Sequence, residues 1–146
     1  MSGNQTANLA IEILLKKNVG FRVLTPEEKI NLAVVFVKKN MVIYGKAYDA
    51  IKCKKKVDFS SEKDISDNLD AITVYEVKST NRENLKSDLS GYFFDLTTAE
   101  LLVAQSLKNH FKFAFVNTIT KQYQEFTLNE VFAKSKGIYP KWAIRF

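Results

Sequence analysis

The spacing of apolar positions along the chain switches at Asn40, from a helical repeat to alternation. Before the switch, Leu9, Ala10, Ile13 and Leu14 share a face, which predicts a helix over 6–17 capped by Thr6. A turn at 18–20 follows. Thr25-Pro26-Glu27-Glu28 then reads as a helix start: Thr25 caps, proline takes the first helical position, and Glu28 closes a capping box. Ile30, Ala33, Val34 and Val37 form the apolar stripe of that helix, and Lys38 and Lys39 suit the negative end of its dipole. After the switch, 41–44 and 48–59 read as strands broken by Gly45-Lys46. The polar stretch 60–68 makes a connection, 69–79 forms a further strand, 80–90 is a polar loop, and 92–96 is short and apolar.

The second half repeats the capping signal. Thr97-Thr98-Ala99-Glu100 opens a helix with Ala99, Leu102, Val103 and Leu107 on one side. Phe111, Phe113 and Phe115 alternate with Lys112 and Ala114 as a strand requires, and 117–122 is a hairpin connection into 123–126. Thr127-Leu128-Asn129-Glu130 starts a short helix that Gly137 terminates, and Trp142, Ile144 and Phe146 alternate in a final strand. The element order predicts a mixed α/β (α+β) domain spanning 1–146, a central mixed sheet flanked by helices. The sequence contains no internal repeat and no low-complexity segment.

Composition narrows the class without fixing the function. Hydrophobic residues make up 46% and charged residues 26%, which excludes the disordered and fibrous classes. A single cysteine, Cys53, excludes an internal disulfide and fits a reducing compartment, so a cytoplasmic protein is expected. The start Met1-Ser2-Gly3-Asn4-Gln5 lacks the basic and apolar regions of a secretory signal. No apolar run approaches the ~18 residues of a membrane span, so no membrane partner is expected. The net charge of +6 favours a polyanion partner through long-range attraction.

Candidate chemistry concentrates at Glu76-Val77-Lys78, which closes the strand Ala71-Ile72-Thr73-Val74-Tyr75. Alternation puts Glu76 and Lys78 on one face, roughly 7 Å apart along the strand. An acid and an amine aimed together from an otherwise apolar strand require a reason, because burying either one unpaired is costly. Asp70 lies just upstream.

With Asp70, Glu76 and Lys78 followed by Ser79-Thr80, the chain resembles the PD-(D/E)xK nuclease superfamily, over a core of about 25–116 with a C-terminal extension at 117–146. The resemblance extends to the order of elements, a helix, a three-strand meander, a helix and a strand. It implies a restriction-endonuclease-like core, DNA as substrate, Mg²⁺ as cofactor with Mn²⁺ able to substitute, and a homodimer or larger homo-oligomer. It implies Asp70 and Glu76 as metal ligands and Lys78 as the third catalytic group, in an endonuclease of restriction-modification, phage or mobile-element type. Two carboxylates can hold a cation that neutralises the phosphodiester, and a lysine beside them can orient water or stabilise charge.

The partner acid stays open. A straight strand would separate Asp70 from Glu76 by roughly 20 Å, so Asp70 serves only if the chain bends sharply. A hairpin turning near Asp67-Asn68 would set Asp58 opposite Glu76, within about 5 Å between facing residues. Asp49 is a third option. Neither Asp70 nor Asp58 follows a proline, as the acid of that family normally does. Glu28 is the candidate for an additional acid from the first core helix, although the capping box already accounts for it.

Lys52, Lys54 and Lys56 fall on one face of a predicted strand, where a row of ammonium groups could follow a phosphate backbone or simply keep an edge strand soluble. Asn81, Arg82 and Lys86 lie just past the motif, within reach of DNA from a loop. His110 is the sole histidine, which argues against zinc, and Cys53 shows no activating pattern. The aromatic row 111–115 is expected in the core. The sequence contains no glycine-rich phosphate loop and no nucleophile elbow.

Overall fold

The computed structural model describes residues 3–86 and 88–146. Along them run α1 (Gly3–Lys16), β1 (Phe21–Arg22), α2 (Pro26–Lys38), β2 (Ala50–Cys53), α3 (Glu62–Asp67) and β3 (Ile72–Thr80). They are followed by α4 (Thr98–Leu107), β4 (Phe111–Asn117), β5 (Tyr123–Phe126) and α5 (Leu128–Lys134). The strands form one mixed sheet in sequential order, β1-β2-β3-β4-β5. The pairs β1–β2, β2–β3 and β4–β5 are antiparallel, and β3–β4 is parallel. Parallel neighbours need a long crossover, and α4 supplies it.

Each sheet face is covered. On one face α1 sets Ala10, Ile13 and Leu14 against Phe21, Tyr75, Val77, Ala114 and Val116. On the other, Leu32 and Phe36 of α2 and Leu107 of α4 pack with Ile51, Ile72, Val74, Phe111, Phe113 and Phe115. The alternation of β3 and β4 therefore feeds both cores at once, as central strands must when helices cover both faces. The three capping boxes form as read, with Thr25, Thr97 and Thr127 each accepting from the amide of the glutamate three residues on. No helix among the described residues is long and apolar enough to cross a membrane.

Five expectations are corrected. The strand expected over 41–44 does not form. The helix predicted over 6–17 begins at Gly3, so Thr6 lies inside it. The stripe expected to be buried on α2 is not the buried one: Leu32, Val35 and Phe36 face the core, while Ile30 and Val37 are exposed. That helix is apolar on both sides, so periodicity could not choose between them. The strand expected over 48–59 shrinks to Ala50–Cys53, because Ser61 caps α3 inside the connection expected to be a plain loop. The strand expected at Trp142–Phe146 is absent, and 135–146 carries no regular structure.

Candidate active site

Along β3, Ile72 and Val74 enter the core shared with α2 and α4, and the next two residues on that face are Glu76 and Lys78. Apolar packing thus gives way to charge at the C-terminal end of the strand. Glu76 is only 8% exposed, and Lys78 is half-buried. On the β4 side they stand beside Phe113 and Phe115.

On the β2 side the register pairs Ala50 with Tyr75, so the next position outward sets Asp49 opposite Glu76. The Asp49 amide donates to the Tyr75 carbonyl at 2.8 Å, which extends the ladder by one bond. There the backbone departs into a 3-10 turn at Gly45–Ala47, and no further backbone carbonyl meets β3 on that side. The Asp49 carboxylate takes over: its Oδ2 accepts from the Val77 amide at 2.8 Å. A side chain completes the sheet where the strand stops, and this bond fixes the carboxylate beside Glu76.

The third acid comes from α4. Glu100 closes the capping box by accepting from the Thr97 amide at 3.1 Å, and the same Oε1 accepts from the Lys78 ammonium at 3.0 Å. Lys78 also lies 3.4 Å from Oε1 of Glu76. Burial pushes the Glu76 carboxyl up to about 9, helped by the Asp49 charge and by its hydrogen bond to Glu100. For Glu100, burial opposes ionisation, but the Thr97 amide and the Lys78 ammonium overcome it and hold its pKa below the ordinary value. At neutral pH the proton therefore resides on Glu76, and Glu100 is the ionic partner of Lys78.

The arrangement brings together Glu76, Lys78 and the third-ranked acid Asp49, and adds Glu100. It does not bring Asp70 to them. Asp70 is exposed in a 3-10 turn, Leu69–Ala71, before β3, and the intervening strand runs without a break from Ile72. The four strand steps from Ile72 to Glu76 alone span roughly 13 Å, too far for Asp70 to share a metal ion with Glu76. Asp58 does not face Glu76 either, because it sits in the loop after β2 and accepts from the Ser60 amide and hydroxyl. Those bonds hold its carboxyl below the usual range. Glu28 stays with its capping box and with Arg22.

The basic candidates divide by location. Lys52 points to the α1 face, away from Glu76, where it pairs with Glu125 at 3.0 Å and lies over the Phe21 ring. Lys54 and Lys56 are exposed in the loop after β2, not on a strand, and the Lys54 amide bonds to Ala71 at the Asp70 end of β3. Asn81 and Arg82 are exposed directly beyond Lys78. The Arg82 amide donates to Oγ1 of Thr80 and its guanidinium to the Gly91 carbonyl, so the loop leaves β3 in a defined direction.

Sequence reasoning missed Glu100, because the capping box explained it fully. The available signal was its position: the first turn of the helix that follows the motif strand must lie near that strand's C-terminal end in a crossover. Chemically, the cluster offers two adjacent carboxylates for a hard cation and an ammonium held next to them. Among the described residues no group of three or more His, Cys, Asp or Glu side chains is arranged to hold a metal ion. No family model, curated protein or solved structure matches the chain.

Proposed function

We propose that the chain is a Mg²⁺-dependent DNA endonuclease of restriction, phage or mobile-element type, centred on Asp49, Glu76 and Lys78. The observation that carries this reading is the placement of Asp49 opposite Glu76, by a register that also aims Lys78 to the same face. The crossover from β3 through α4 to a parallel β4 also supports it, because the resemblance expects a helix and then a strand after the motif strand; the three strands expected after the first core helix are not found, since β1 precedes α2.

The donor set fits magnesium. Mg²⁺ uses one or two carboxylates and completes its shell with water and substrate phosphate, so a pair of acids suffices. Asp49 and Glu76 would hold it, once Glu76 has given up the proton that burial and the Asp49 charge favour. When bound, the ion would neutralise the phosphodiester and make water easier to deprotonate. The Val77 amide orients Asp49 through its 2.8 Å hydrogen bond. Glu100 orients Lys78, keeping the ammonium next to the two acids, where it can hold a water or meet charge developing on the phosphate. Two copies would each cut one strand, and a two-fold pair implies a symmetric target.

The test is plasmid cleavage with Mg²⁺ or Mn²⁺. Glu76→Ala should abolish nicking while DNA binding survives, and full cleavage by that variant would sink the assignment. A second reading rests on Lys78, which already has an ionic partner in Glu100 without any metal. It makes the chain a non-catalytic nucleic-acid-binding module, for which the wild type binds DNA with marked salt dependence and cuts under neither cation.

A further inference from the structure

Residues 138–146 hold five of the six most exposed large hydrophobic side chains among the described residues. Ile138, Tyr139 and Ile144 are mostly exposed, Trp142 is 87% exposed, and Phe146 is fully so. The root of the segment is anchored. Tyr139 stacks on Phe93 with ring centroids 6.2 Å apart, and Lys141 bonds to Asp95 at 2.6 Å. Beyond that anchor Trp142, Ile144 and Phe146 alternate with Ala143 and Arg145, the period of a strand, yet no strand is formed.

The same molecule presents an unpaired strand edge. β5 ends the sheet and pairs only with β4. The Asn117 amide donates to the Gln122 carbonyl, so alternation of the ladder turns the amides of Tyr123 and Glu125 outward. Such an edge is a template for strand addition.

We propose that the chain forms a two-fold dimer in which residues 142–146 of each copy, held in place by the Tyr139 and Lys141 anchor, add as a strand to the β5 edge of the other. Area supports a second copy as the occupant. Aromatic side chains of ~150–250 Å² each, with the two isoleucines, give the segment roughly 700–800 Å² to bury. With half of this covered in each copy, and an equal area of each β5 edge covered in return, the two contacts total roughly 1,400–1,600 Å², within the ~1,200–2,000 Å² of a stable complex. Beyond the Lys141 anchor five residues remain, roughly 17 Å when extended, the length of an ordinary short strand. DNA is the rival occupant, given Lys136, Lys141 and Arg145, but Ile138 and Ile144 offer nothing to a base or a phosphate. The inference does not rest on the nuclease reading, and its test contains no cleavage step.

Sedimentation of the full chain should give twice its mass of 16.7 kDa. Trp142 is the sole tryptophan, so its emission should shift to the red on dilution as the pair separates. The double substitution Trp142→Asp and Ile144→Asp removes only exposed side chains. It should give single-copy mass with an unchanged circular dichroism spectrum. Hydrogen exchange at Tyr123 and Glu125 should be slow in the wild type and fast in the double variant. A wild type of single-copy mass at every concentration overturns the proposal, whether its segment is free, folded onto its own β5, or paired only after DNA is added. A double variant that remains paired, or a dimer whose Tyr123 and Glu125 amides exchange freely, overturns it as well.

Discussion

The proton on Glu76 links the chemistry of the site to the stability of the fold. Its carboxyl ionises near 4.5 when unperturbed and near 9 in the folded chain, chiefly because burial and the Asp49 charge oppose ionisation. Between those two values the folded state holds a proton that the unfolded chain has lost, so this residue's contribution to stability declines as pH rises from about 4.5 towards 9. Glu76→Gln keeps the neutral shape and cannot ionise. It should match the wild type in a urea melt at pH 4.5 and exceed it at pH 8 by at least ~1 kcal/mol, since one pKa unit is worth about 1.4 kcal/mol. Equal stabilities at pH 8 would mean that Glu76 is not held protonated. A cation between Asp49 and Glu76 must expel that proton, so Mn²⁺ binding at pH 7 should release protons, with heats that depend on the buffer's ionisation enthalpy. Affinity should rise with pH towards 9, and the glutamine variant should bind neither cation. A substitution that stabilises the protein while ending its chemistry is the signature of a functional site, and a structural ion cluster would lose stability instead.

At the level of elements, the site depends on the register of β2 on β3. That register decides which aspartate faces Glu76, and Asp49 and Asp70 can be separated directly. Asp49→Asn retains an oxygen for the Val77 amide and so keeps the local fold, but loses the charge. Under the proposed nuclease function, supercoiled-DNA nicking should fall by a hundredfold or more, because charge stabilisation by a bound metal would contribute several kcal/mol. Asp70→Asn, on an exposed turn, should leave the rate unchanged, and the opposite result would return the metal to the far end of β3. The same comparison shows what the sequence made legible. Capping boxes are local, so Thr25 with Glu28, Thr97 with Glu100 and Thr127 with Glu130 form as read. The face shared by Glu76 and Lys78 is local too, because it needs only strand period. The register is not local. It depends on how much chain lies between two strands, and α3, started by the Ser61 side chain accepting from the Asp64 amide, takes up length assigned to strand and hairpin. Choosing between the two apolar sides of α2 likewise required the rest of the core.

Across the whole molecule, β3 separates two basic regions by its own length. Lys54, Lys55 and Lys56 are exposed at the end where Asp70 lies, whereas Arg82 and Lys86 are exposed beyond Lys78. The sheet itself separates a third cation, because Lys52 is on the α1 face with Glu125, which Tyr75 also contacts through its hydroxyl. A duplex whose phosphate reached Glu76 and Asp49 would therefore meet first the cations of the 81–86 loop, which follows β3 beyond Lys78. Each phosphate contact contributes a slope of about −0.9 to the logarithm of affinity against the logarithm of salt concentration. Lys86→Ala should weaken binding across all DNA sequences and reduce the steepness of that slope by about one. Alanine at Lys54, Lys55 and Lys56 together should leave the slope and the cleavage rate unchanged, since the net charge of +6 supplies only long-range attraction from that distance, screened beyond about 10 Å at 0.1 M salt. Lys52→Ala should alter stability, through the loss of a half-buried partner for Glu125, and not affinity. A triple variant that loses DNA affinity as Lys86→Ala is expected to would place the duplex across the Asp70 end, a strand's length from Glu76 and Lys78, and would separate binding from the proposed centre.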